Sequence, residues 1–100
     1  MKNVILDTDL FNECDDQFAL AYLLKSKENF NIEAVTLSPF YNSRMKENDG
    51  GIEKSFQEAK TIFKLCNTNS HNKIFRGSKD YISNGYNSKN DAVNKIIEVA

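Results

Sequence analysis

Acidic and amide side chains crowd the start of this chain: Asp7, Asp9, Asn12, Glu13, Asp15 and Asp16 follow directly on the apolar run Val4-Ile5-Leu6. Four aspartates between positions 7 and 16 repel one another. A bound hard cation, which takes oxygen ligands and cancels their charge, is the most economical reason for them to coexist. The simpler assignment is local. Asp15 and Asp16 would then only cap a helix, accepting its free N–H groups and meeting the positive end of its dipole, with Asp7 and Asp9 solvated at a strand end. That account suits a lone Asp-Asp pair better than four aspartates behind a buried strand. Other reactive side chains offer less. Cys14 and Cys66 have no CxxC spacing and no adjacent histidine, which argues against zinc and a disulfide scaffold and leaves reduced, structural cysteines. His71, the one histidine, lies in the polar run Asn67 to Asn72 and reads as solvated.

The elements that must position these aspartates alternate along the chain. Val4-Ile5-Leu6 suits a strand buried on both faces, expected over Lys2–Leu6, and Phe18 to Leu24 is rich in helix formers. A second strand is expected over Ile32–Leu37, after the turn-like Lys27-Glu28-Asn29, with room between the two for a right-handed βαβ unit. Ser38 to Gly51 reads as a long polar loop, of the kind that is commonly functional. Ile52, Phe56, Ala59, Phe63 and Cys66 then recur at helical spacing, with Ile62 and Leu65 widening the stripe. A short third strand is expected over Lys73–Phe75 and another loop over Tyr81–Lys89. Asp91 would cap a last helix with inner face Val93, Ile96, Ile97 and Ala100.

The sum is an α/β chain, β-α-β-α-β-α, forming part of a Rossmann-like open parallel sheet. In such sheets ligands bind outside the carboxyl ends of the strands. Asp7–Asp16, Ser38–Asn48 and Arg76–Asn87 would share that edge. The last helix carries no stop signal at Ala100. Residues 1–100 are therefore expected to be the amino-terminal part of a single larger domain.

Composition excludes some classes. The net charge is −1, with 13 basic residues scattered among 14 acidic ones, so no basic face points to nucleic acid or an anionic membrane. No apolar run suits a signal-peptide core or a membrane span. A soluble, cytoplasmic protein is expected.

The run Val4-Ile5-Leu6-Asp7-Thr8-Asp9 followed by Asp15-Asp16-Gln17-Phe18-Ala19-Leu20 resembles the amino-terminal signature of the inosine-uridine nucleoside hydrolases, calcium-dependent N-ribosidases with a Rossmann-like fold. Glu33-Ala34-Val35-Thr36 resembles that family's second strand, Gly51-Ile52-Glu53-Lys54-Ser55 its second helix, and Ile74-Phe75-Arg76-Gly77-Ser78 its third strand and turn. The resemblance implies hydrolysis of a ribonucleoside, or a related ribosyl compound, by a full-length protein that is a homo-oligomer. It implies that Asp9 ligates Ca²⁺ and acts as the base that activates water. Asp16 would ligate the same ion, Asp7 would stand close to it among the metal residues, and Asp15 would hold ribose hydroxyls. Asn42 falls near where the family places an asparagine on the ribose.

Two departures qualify the match. Leu10-Phe11-Asn12-Glu13-Cys14 is two residues longer than the usual connection and has no glycine, which resembles a divergent Asn-Glu-x-Asp-Asp branch. The family's remaining metal ligands and its leaving-group acid also come from sequence beyond residue 100. Two alternatives compete. Asp7-Thr8-Asp9 also resembles the haloacid-dehalogenase-type phosphatases, in which the first aspartate is a nucleophile and the second an acid. That family expects Thr or Val where Phe11 stands, and it leaves Asp15 and Asp16 without a role. The other alternative is a non-catalytic fragment or cation-binding module, inactive by itself.

Overall fold

A computed structural model describes residues 1–41, 50–81 and 89–100. The elements run β1 (Lys2–Thr8), α1 (Cys14–Lys25), β2 (Phe30–Leu37), α2 (Ile52–Leu65), β3 (Ile74–Arg76) and α3 (Asp91–Val99). The three strands form one parallel sheet in the order β1-β2-β3. Parallel strands need a crossover, and α1 and α2 supply the two that the alternation of apolar runs predicts. Both β1 and β2 are two residues longer than expected, β1 at its carboxyl end and β2 at its amino end. The third strand starts and stops one residue later than expected.

A bulge decides which residues share a face. Register slips between Val4 and Ile5, so that Val4 pairs with Ile32 but Ile5 pairs with Ala34, leaving Glu33 as the extra residue. Strict alternation would separate Ile32 from Val35 and Leu37; the slip puts all three on the side of Val4 and Leu6. They join Leu20 and Leu24 of α1 and Ile52, Ala59, Ile62 and Phe63 of α2 in one continuous core.

α3 lies on the opposite face. Alternate residues of β3 divide accordingly: Ile74 joins the α1/α2 core, while Phe75 lies under α3, with Lys95 Nζ 5.4 Å from its ring centroid. The contact side of α3 differs from the expected one. Ala92 is its buried residue and Ile97 is 69 % exposed. An apolar stripe marks a side that can be buried, and in α3 the small Ala92 rather than the isoleucines meets the sheet. Its cap also differs: the Asn90 side chain accepts from the Val93 N–H at 2.9 Å, which makes Asp91 the first helical residue.

Two glycines hold the loops at the carboxyl edge. Gly51, at φ 73°, starts α2 in the left-handed region, and a Cβ there would stand 2.3 Å from the Phe40 ring. Gly77, just past β3, lets its backbone approach the Leu37 carbonyl, which a Cβ would meet at 2.1 Å. Glycine alone suits both positions.

Candidate active site

The acidic segment lies where an open parallel sheet places its ligand crevice, at the carboxyl end of β1. Asp7 and Thr8 end the strand, Asp9 to Glu13 make the turn, and Asp15 and Asp16 occupy the first turn of α1. The α1 cap position is Glu13, whose side chain makes no capping bond. Asp15 and Asp16 therefore do not cap the helix, and they meet its dipole from inside the first turn.

Each carboxylate has its own anchor. Asp7 accepts from the Thr36 hydroxyl across the β1–β2 pair at 2.8 Å. The Thr8 hydroxyl donates to Asp16 Oδ2, which ties the strand end to α1. Asp9 Oδ2 accepts from the Asn12 amide at 3.0 Å, and the Asp9 carbonyl accepts from the Asn12 N–H at 2.8 Å, closing a tight turn. Asp15 is exposed and is approached by the Cys14 thiol at 3.9 Å. A weak thiol donor at that range leaves Asp15 oriented toward solvent.

The turn is also held from below. Leu10 is fully buried in the core and the Phe11 N–H donates to Ser55 Oγ of α2 at 3.0 Å. Thr8, Thr36 and Ser55 are the buried polar residues among those described. Their hydroxyls serve Asp16, Asp7 and the Phe11 backbone respectively. Sequence reasoning missed these three. The signal was a hydroxyl at a position patterned for the core: Thr36 interrupts the apolar run Ala34-Val35-Thr36-Leu37, and Ser55 sits three residues after Ile52 and four before Ala59 on the inner stripe of α2.

The aspartates divide into two groups. Successive side chains leave a strand on opposite faces, so Asp7, paired with Thr36, sits on the face away from α1, while Thr8 reaches Asp16 on the α1 face. Among the described residues no three His, Cys, Asp or Glu side chains are gathered closely enough to hold a metal ion. The donor chemistry of the segment, all oxygen and mostly carboxylate, is of the kind a hard cation takes. Asp7, on the other face, keeps its Oδ1 on the Thr36 hydroxyl. Asn42 lies outside the described residues.

A second charged cluster stands at the same edge. Arg76, at the end of β3, forks onto Glu53 in the first turn of α2 at 2.5 and 3.0 Å and stacks 3.7 Å from the Phe56 ring centroid. The hydrogen bond from Arg76 holds the Glu53 carboxyl below its ordinary value. By contrast, a cavity of about 190 Å³ lined by Met1, Leu24, Phe30, Ile32 and Phe63 opens at the amino ends of the strands, away from every aspartate of the segment. Lys27 and Lys73 also line it, and no carboxylate among the described residues does.

No protein-family model matches this chain, and no curated protein or solved structure matches it either. The geometry therefore carries the functional reading.

Proposed function

We propose that this chain carries the amino-terminal half of the active site of a calcium-dependent hydrolase that cleaves ribosyl N-glycosidic bonds. The observation that carries the reading is the use of the buried hydroxyls: Thr8, Thr36 and Ser55 all brace the one acidic segment at the carboxyl edge of the sheet. Burying a hydroxyl costs free energy unless it is bonded, and aspartates merely solvated at a strand end need no such bracing. A segment fixed in this way suits a site in which small displacements matter.

Breaking a nucleoside N-glycosidic bond passes through an oxocarbenium-like ribose, which a carboxylate-rich pocket stabilises and a positioned water attacks. On this reading Asp9 accepts the proton of that water, since it sits in the turn between strand and helix with one carboxylate oxygen held by Asn12. Asp9 and Asp16 would hold the ion, and Ca²⁺, when bound, would lower the pKa of its water and orient the sugar hydroxyls. Asp15, exposed at the start of α1, would accept from ribose hydroxyls, and Asn42 would reach the same sugar. Asp7 would stiffen the strand end through Thr36.

The test is turnover of a nucleoside panel, with p-nitrophenyl riboside included, by the full-length protein in calcium and in chelator. The expected result is calcium-dependent release of the base or of p-nitrophenol. Release of phosphate from p-nitrophenyl phosphate with no riboside cleavage would sink the hydrolase reading in favour of the haloacid-dehalogenase type.

A further inference from the structure

The loop carrying Asp9 is fastened to the strand at its start and to α1 at its end, and a backbone hydrogen bond joins its middle to a different helix. That contact is the bond from the Phe11 N–H to Ser55 Oγ, 3.0 Å long and 44 residues apart in sequence. We infer that Ser55 is a positioning residue, which sets the height of the Asp9–Asn12 turn above the sheet and so the placing of the Asp9 carboxylate. The functional part of this inference rests on the hydrolase reading; the positional part does not.

Three observations carry it. Ser55 is fully buried, so its hydroxyl oxygen is an acceptor fixed by the packing of α2 rather than a mobile surface group. Its neighbours in the loop are arranged around it: Leu10 is sunk into the core, and the Phe11 ring, 39 % exposed, lies over the outside of α2 with Lys54 Nζ 5.8 Å from its centroid. The turn next to it is closed by Asn12, which bonds Asp9 through both backbone and side chain, so a displacement at Phe11 is passed to Asp9. Removing the acceptor leaves the Phe11 N–H facing a fully buried position on α2 without its partner, which costs both stability and order in the turn.

The experiment compares wild type, Ser55→Ala and Ser55→Cys in the full chain. The cysteine keeps the side chain near its original volume and replaces the oxygen by a weak acceptor, and it supplies the reading if the alanine variant fails to fold. Hydrogen exchange at the Phe11 amide is expected to accelerate at least tenfold in the variants, with the Leu20 and Val35 amides unchanged. Terbium, titrated as a luminescent probe for the calcium site, is expected to bind about tenfold more weakly. Phe11 exchange at the wild-type rate in both variants would overturn the inference. So would faster Phe11 exchange with terbium affinity unchanged, since the bond would then be structural only. If wild type takes up no terbium, the cation reading fails, and Phe11 exchange alone decides the role of Ser55.

Discussion

Replacing Asp9 by asparagine keeps the size of the side chain and one oxygen while removing the proton acceptor. On the proposed mechanism Asp9→Asn lowers kcat by on the order of 10²–10⁴-fold, and steady-state kinetics on a riboside would measure it. Asp15→Ala acts differently. It strips contacts made to the sugar before as well as during the reaction, so KM should rise along with any fall in kcat. A variant with KM unchanged would remove Asp15 from the sugar site. The aspartates themselves were legible in the sequence because they are crowded into one short run. What braces them was not, because Thr36 reaches Asp7 from 29 residues away and Ser55 reaches the Phe11 backbone from 44, and a lone hydroxyl in an apolar stripe announces no partner. The division of Asp7 from Asp16 was hidden for a related reason. Which face a strand residue takes depends on its pairing, and that pairing contains a bulge.

Among the elements, α2 does the most to organise the site. Its amino end meets Phe40 through Gly51, its inner stripe carries Ser55, and its first turn receives Arg76 through Glu53. Gly51→Ala would place a methyl group against the Phe40 ring at a left-handed φ, and a loss of stability above about 1 kcal/mol is expected from the strain. Chemical denaturation would read it. The helix period of α2 was legible in the sequence, since its apolar face is broad enough to meet the sheet, whereas α1 was marked by its helix formers and leaves Phe18 and Tyr22 exposed. For α3 the period was legible and the contact was not: two isoleucines predict an inner face, yet the sheet receives Ala92. The cap gives a sharper comparison. Asn90→Ala should cost about 1 kcal/mol, because its side chain bonds the Val93 N–H. Asp91→Ala should cost less, since it loses a dipole interaction of about 0.3–1 kcal/mol and a weak attraction to Arg76.

For the whole molecule, calcium and pH are the informative variables. Thermal melts in calcium and in chelator should differ if Asp9 and Asp16 share an ion, because a ligand that binds only the folded state raises its melting temperature. Superimposable curves would remove the metal from the proposal. Acid titration addresses the Arg76–Glu53 pair. Glu53 is held below its ordinary value of 4.5, so its contribution is fully present above that value and is lost as pH falls through the lower, folded-state value. Both side chains are about half exposed, so the pair is worth about 1 kcal/mol or less. Wild type and Glu53→Gln should therefore differ slightly at neutral pH and converge under acid conditions. No helix among the described residues is long and apolar enough to cross a membrane.

The spacing of the braces also fixes an order of events during synthesis. A chain emerges from the ribosome at about 5–20 residues per second, so Thr36 becomes available to Asp7 before Ser55 becomes available to Phe11. The βαβ unit can close while α2 is still unmade, which sets the strand end and α1 first. Until Ser55 has been translated, the turn bearing Asp9 has its two ends tied while the Phe11 N–H lacks its acceptor on α2.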